Sequence, residues 1–195
     1  MRGTLLAAAL LAAALVLPAR AAEPARGEAL AGERGCGACH GAKGVSAQPN
    51  IPSLAGQQPE FVTLQLILFR ERLRDAPPMP DIAQGLADEQ VEALAAFYAS
   101  LPPAPPADRA PKRDAAVQEG AALAQRLRCG ICHLPDYRGQ NQVPRIAGQR
   151  EEFLVHALVG YRDSTRHGTD TNMNAVMYGV SDAEIAAIAH YMAHQ

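Results

Sequence analysis

The sequence has no basic excess. Its 195 residues carry 18 Lys and Arg against 20 Asp and Glu, a formal net charge of −2. Nucleic-acid binding needs a basic patch or stripe, so nucleic acid is not an expected partner. Beyond the N-terminus no apolar run approaches the roughly 20 residues that a membrane-spanning helix requires. No alternation of apolar and polar residues lasts long enough to build a sheet. Cysteine is scarce: there are four, and all four fall in two short motifs.

The N-terminal stretch MRGTLLAAALLAAALVLPARAAE has a basic residue, Arg2, then an apolar run from Leu5 to Leu17, then small residues. At 13 residues the run is too short to span a bilayer and fits a secretory signal, with Ala19-Arg20-Ala21 as a small-x-small cleavage site. Residues 1–21 are read as a signal peptide, so the mature chain starts near Ala22 and works outside the cytoplasm. That compartment permits disulfides.

The remainder is written twice. Cys36-Gly-Ala-Cys39-His40 returns as Cys129-Gly-Ile-Cys132-His133, a shift of 93. IPSLAGQQPEF (51–61) returns as VPRIAGQREEF (143–153), LFR (68–70) as GYR (160–162), and MPDIAQGLADEQ (79–90) as MNAVMYGVSDAE (173–184). Order and spacing persist with slips of one or two residues, which marks a tandem duplication. The expected organisation is a first domain at 22–101, a Pro-rich linker at 102–112 and a second domain at 113–195. Proline bars a continuing helix, so the linker is expected to be extended and semi-rigid, holding the two domains at a limited range of separations. Charge is uneven: residues 22–101 hold six Arg and Lys against ten Asp and Glu, whereas residues 112–195 hold nine of each.

Each half reads as helical. Glu28–Arg34 and Ala115–Arg128 lead into the two cysteine motifs. Phe61, Leu64, Leu68 and Leu73 stand near helical spacing in Glu60–Arg74, matched by Glu151–Arg162. The last helices are expected at Asp88–Leu101 and Asp182–His194. Ser181 and Glu184 form a capping box, which Ala87 in the first copy lacks.

Three chemistries use paired cysteines. A structural zinc site needs four ligands in one place, and these pairs lie about 90 residues apart in separate units. A redox C-x-x-C follows a strand in a βαβ setting, which is missing. The histidine after the second cysteine is the signature of covalent c-type haem. On a helical turn, residues three and four apart face one way. Cys36 and Cys39 can both form thioethers with one porphyrin edge while His40 reaches the iron, and Cys129, Cys132 and His133 repeat the arrangement. The expected cofactors are two covalently bound haem c groups. Each unit has only about 80 residues and a small core, so the haem is also expected to act as a packing surface.

The opposite face of each iron decides function, because an open position binds peroxide, oxygen or substrate and a filled one transfers electrons. Met79 lies 43 residues after Cys36 and Met173 lies 44 after Cys129. Both stand seven residues before an apolar position (Leu86, Val180) and nine before an Asp (Asp88, Asp182). They are the expected axial ligands, placed by the pattern in polar or Pro-rich loops. Met177 competes one turn after Met173, but its counterpart is Ala83. Met192 reads as packing and His167 as a surface histidine. His156, His190 and His194 carry no clear functional signal. Pro52 and Pro144 follow the haem motifs at equivalent places. A carbonyl there can accept the ring N–H of the axial histidine, and a plain loop stop would use proline equally well.

With CGACH, IPSLAGQ and MPDIAQGLADEQVEALAAFYAS in one half and CGICH, VPRIAGQ and MNAVMYGVSDAEIAAIAHYM in the other, the chain resembles the dihaem cytochromes c4. The resemblance covers nearly all of the mature chain. It implies an all-α fold of two tandem class I cytochrome c domains, each wrapped around its haem, facing one another across a pseudo-twofold interface. It implies His/Met ligation at both irons and a periplasmic carrier of single electrons, not an enzyme. The implied partners are redox proteins: a quinol-oxidising complex or dehydrogenase as donor and a terminal oxidase as acceptor, with peripheral association with a membrane complex also compatible. A second reading makes the chain the dihaem subunit of a dehydrogenase such as flavocytochrome c sulfide dehydrogenase. A third, weaker one makes it a dihaem enzyme of the peroxidase or thiosulfate dehydrogenase kind, which two matched methionines argue against. The acidic first half is expected to favour the ferric state and give the first haem the lower potential.

Overall fold

A computed structural model describes residues 19–166 and 171–195, with side chains from Glu23 onward. The expected signal peptide lies almost wholly outside the described residues, as does His167. Among the described residues there are ten helices and no strand, and none of the helices is long and apolar enough to cross a membrane. The first unit contains α1 (Ala19–Glu33), α2 (Gly37–His40), α3 (Pro59–Arg70), α4 (Met79–Ala83) and α5 (Asp88–Ser100). The second repeats the order with α6 (Asp114–Arg126), α7 (Cys129–His133), α8 (Glu151–Arg162), α9 (Thr171–Met177) and α10 (Asp182–Ala193).

Several expectations shift, three of them by enough to matter. The helix before the first haem motif starts at Ala19 rather than Glu28 and carries Pro24 inside it. The third helix ends at Arg70 rather than Arg74, because Arg72 takes a left-handed backbone with φ of 55°. The methionines expected in loops stand in short helices: Met79 opens α4, where Pro80 is tolerated in the first turn, and Met173 lies inside α9.

Each unit closes by crossing its first helix over its last, α1 on α5 and α6 on α10. The crossing is made at a glycine. A β-carbon on Gly27 would lie 2.0 Å from the carbonyl oxygen of Ala93, and one on Gly120 would lie 2.2 Å from that of Ala187. Around the crossings sit two separate apolar clusters. One holds Leu30, Phe69, Val91, Leu94 and Phe97. The other holds Leu123, Leu154, Ile185, Ile188 and Met192. Each fully buried aliphatic or aromatic side chain contributes roughly 1.5–3 kcal/mol.

Helix ends repeat as well. Arg70 at the end of α3 donates to Asp88 at the start of α5 (2.7 Å) and to the Leu86 carbonyl (2.9 Å). Arg162 at the end of α8 makes the same two bonds, to Asp182 and to the Val180 carbonyl. The capping box at α10 is present, with the Glu184 N–H donating to Ser181 Oγ at 3.3 Å and the Ser181 N–H to Glu184 Oε2 at 2.9 Å. At α5 only one arm exists, from the Ala87 N–H to Gln90 Oε1 at 3.0 Å.

The linker is not a free spacer. Asp108 accepts two bonds from the buried Arg150, at 2.8 and 2.9 Å. Arg109 donates to the Ala193 carbonyl at 3.0 Å, and the Arg113 N–H donates to His190 Nε2 at 3.0 Å. The prolines predict an extended, semi-rigid segment, and the charged Asp108 and Arg109 between them also fasten it to the second unit.

Candidate haem sites

The cysteine motifs form single helical turns. In the first, the Cys36 carbonyl accepts the N–H of His40 at 3.1 Å, which fixes the turn and puts Cys36, Cys39 and His40 on one side. The second turn is α7 itself. It is entered through Arg128, a left-handed residue with φ of 59°, where the first unit uses Gly35 with φ of 66°.

His40 and His133 are 8% and 6% exposed. The Nδ1–H of His40 donates to the Pro52 carbonyl at 2.9 Å, and that of His133 donates to the Pro144 carbonyl at 2.8 Å. A carbonyl can only accept, so the proton is on Nδ1 and each Nε2 keeps its lone pair for a metal. Burial pushes both imidazoles below the ordinary histidine range, while the carbonyl bond works the other way. Burial likewise pushes the thiols of Cys36 and Cys129 up; at Cys36 a bond to the Tyr98 hydroxyl opposes it. None of the four cysteines is in a disulfide, and Cys132 is the most exposed of them.

Met79 and Cys36 border the first apolar cluster, and Met173 and Cys129 the second. Met177 is 1% exposed and its repeat partner Ala83 is 0% exposed, so both are core residues. The two cysteine pairs do not converge. Among the described residues, Glu151, His190 and His194 form the only group of three side chains close enough to share a metal ion. His190 is already engaged there: its Nδ1–H donates to Glu151 Oε2 at 2.8 Å while its Nε2 accepts the Arg113 N–H. Read from the sequence as lacking any clear signal, His190 is fully buried and fastens Arg113, the first residue of the second unit.

The side chains fit a flat apolar group with an anionic edge. Each unit offers an apolar cluster, two cysteine side chains and an imidazole whose Nε2 is left free to bind a metal. Arg74 supplies the cation. It is 8% exposed, stands 4.6 Å from the Phe69 ring centroid, and bonds the Gln65 side chain. Its Nε has no hydrogen-bond partner among the described residues. Burial holds it down to about 9, and the positive charge of Arg166 from the second unit adds to the effect. Arg145 also has a buried Nε without a partner among the described residues. A buried guanidinium left this way, as at Arg74, calls for a carboxylate, which haem carries as its propionates. Arg74 was not singled out in the sequence, where one arginine among several carries no signal.

The two units meet through their AGQ segments. Gln57 bonds the backbone of Arg145, and Gln149 bonds the backbone of Ser53. Gln58 donates to the Gly139 carbonyl at 3.2 Å, and its repeat partner Arg150 donates to the Ser46 carbonyl at 3.0 Å. The contacts are related in pairs, as in an interface between two copies of one surface.

Comparison with known proteins agrees with this layout. The family model described as Cytochrome c matches twice, over residues 24–102 and 117–195. A cytochrome c4 of Thiocapsa roseopersicina is 35% identical over 185 residues, covering 89% of this chain and 95% of the relative. A protein of Stutzerimonas stutzeri called thiosulfate dehydrogenase electron acceptor is 34% identical, covering 82% of this chain and 78% of the relative. The crystal structure of reduced recombinant cytochrome c4 from Pseudomonas stutzeri superposes with a TM-score of 0.78 at 25% identity, covering 87% of this chain and 97% of that one.

Proposed function

Since the chain belongs to the cytochrome c family, as a dihaem electron-transfer protein of the cytochrome c4 type, we propose that it is a periplasmic carrier of single electrons between redox proteins and not an enzyme. Cys36 and Cys39 hold one haem and Cys129 and Cys132 the other. His40 and Met79 ligate the first iron, and His133 and Met173 the second. When bound, each haem supplies a one-electron Fe(III)/Fe(II) couple. The chain's own part is to fix the ligands, exclude water and bring the two sites together. The observation that carries the reading is the pair of His–Pro bonds, made twice at equivalent places, which leaves Nε2 of each histidine free.

The domain limits that go with this reading are 22–101 and 113–195, joined by 102–112. The two family matches support them. The N-terminal signal pattern supports export. The donor is proposed to be a quinol-oxidising complex or a dehydrogenase and the acceptor a terminal oxidase, with the carrier held peripherally at a membrane complex during transfer. A second reading, an electron-accepting subunit bound to a dehydrogenase, is favoured by the likeness to the Stutzerimonas stutzeri protein. Co-purification with a dehydrogenase from the source organism would support it.

The first test is the optical spectrum of the reduced holoprotein before and after carbon monoxide. Two filled sixth positions predict no prompt change. A shift in half or more of the Soret band would show an open iron and defeat the carrier reading for that unit.

A further inference from the structure

The amide of Gln57 makes two bonds to one residue of the other unit. Its Nε2 donates to the Arg145 carbonyl at 3.1 Å, and its Oε1 accepts the Arg145 N–H at 2.6 Å. Gln149 does the same to Ser53, with Nε2 to the carbonyl at 2.9 Å and Oε1 from the N–H at 2.8 Å. A primary amide matches the donor and acceptor of a single residue's backbone, so each pair works as a two-point clamp. Gln57, Gln149 and Ser53 are 5%, 6% and 8% exposed, so water does not compete freely for these bonds.

The clamped residues are not arbitrary. Ser53 follows Pro52, whose carbonyl takes the His40 ring N–H, and Arg145 follows Pro144, whose carbonyl takes that of His133. Each glutamine therefore grips, at one residue's remove, the carbonyl that orients the histidine of the opposite unit. A carbonyl that holds the second nitrogen of a ligating histidine sets the ring's orientation and its basicity toward the metal. What fixes that carbonyl fixes both.

We propose that Gln57 is a positioning residue for His133 and Gln149 a positioning residue for His40. The control is crossed: each unit sets the axial histidine of the other. This rests on the reading of His40 and His133 as haem ligands. It adds that neither haem environment is complete within its own half, and that the two sites are linked by dyad-related routes. One runs from His133 through Pro144 and Arg145 to Gln57. The other runs from His40 through Pro52 and Ser53 to Gln149.

The test uses oxidised holoprotein with both haems. Proton NMR records the hyperfine-shifted ring signals of the two axial histidines, each assigned to its unit, in the wild type, Gln57→Leu and Gln149→Leu. Gln57→Leu is expected to displace the His133 signals and leave those of His40 in place; Gln149→Leu is expected to do the reverse. If either leucine variant loses haem, Gln57→Glu and Gln149→Glu are read the same way, since they keep the acceptor oxygen and lose the donor. Equal displacement at both histidines, displacement at the variant's own unit, or no displacement would overturn the crossed assignment while leaving the ligands standing. A wild type without signals from His40 and His133 would remove the ligation reading itself, and this proposal with it.

Discussion

The helix crossings give the sharpest stability prediction. Valine at Gly120 would put a β-carbon 2.2 Å from the Ala187 carbonyl oxygen and 2.5 Å from Tyr191 Cβ; at Gly27 the distances are 2.0 Å to Ala93 oxygen and 2.6 Å to Phe97 Cβ. A carbon and a carbonyl oxygen rest at about 3.3 Å or more, so α6 and α10, or α1 and α5, must part by about 1 Å. Neither obstacle is a flexible tip that can swing aside. Overpacking of this kind costs about 1–3 kcal/mol, and two further valine methyls put these sites at the upper end. Leaving glycine inside a helix returns a few tenths of a kcal/mol. The expected net loss is about 2–3 kcal/mol. At about 4–8 °C per kcal/mol for a unit this small, that is a fall of about 8–24 °C. Denaturant and thermal unfolding of the holoprotein, followed by haem absorbance, measure it. Gly32→Val is the control, on the same helix α1 with nothing within 4 Å of its β-carbon. If Gly120→Val and Gly27→Val match Gly32→Val, the close crossing is not what closes each unit.

Two further outcomes follow from charge. The Glu184 carboxyl is held at about 2, against an ordinary 4.5, first by Arg126 and then by Ser181. A carboxyl depressed by folding contributes stability that is present above about 4.5 and lost as pH falls toward about 2, so Glu184→Gln should flatten the fall in stability across that window. Parallel curves for wild type and variant would refute this. The first unit has neutral Gln90 at the same place, so the effect belongs to the second unit. The acidic residues of 22–101 favour the ferric state there, so a site-resolved redox titration should find the first haem at the lower potential, with a gap that narrows as salt screens exposed charge. The reverse order would refute that.

Much of this was legible because the chain is written twice. The two cysteine turns, the paired AGQ segments and the helix Glu151–Arg162 stand where the repeat puts them, and α5 and α10 end one residue short of expectation, whereas Met79 and Met173 stand in short helices where loops were expected. Pro52 and Pro144 were open between a hydrogen-bond acceptor and a loop stop; both accept from a histidine. The rest was hidden for identifiable reasons. The start of α1 is masked by the apolar leader and by Pro24, which normally marks a boundary. The end of α3 depends on Arg72 turning left-handed, with no glycine to announce it. Gly27 and Gly120 look like weak points in a helix until the opposing carbonyl is known. Above all, a repeat cannot say whether a motif faces its own copy or the other one. Gln57 and Gln149 were visible as part of AGQ, but their partners lie 88 and 96 residues away.

Where the copies differ, the difference also has a consequence. Gln58 reaches the carbonyls of Arg138 and Gly139, and its counterpart Arg150 reaches that of Ser46. The longer, charged side chain then has capacity left for Asp108, and paired charge-assisted bonds to a carboxylate are among the stronger polar contacts. Asp108 belongs to the linker, so one substitution between two otherwise matched residues gives the connecting segment a fixed seat beside the interface. Arg109 and Arg113 extend that seat along α10 to Ala193 and His190. The duplication made an interface that needs both copies. Arg150, where the copies differ, ties the connection between them to the same surface, so the placement of one unit on the other depends on interface and linker together.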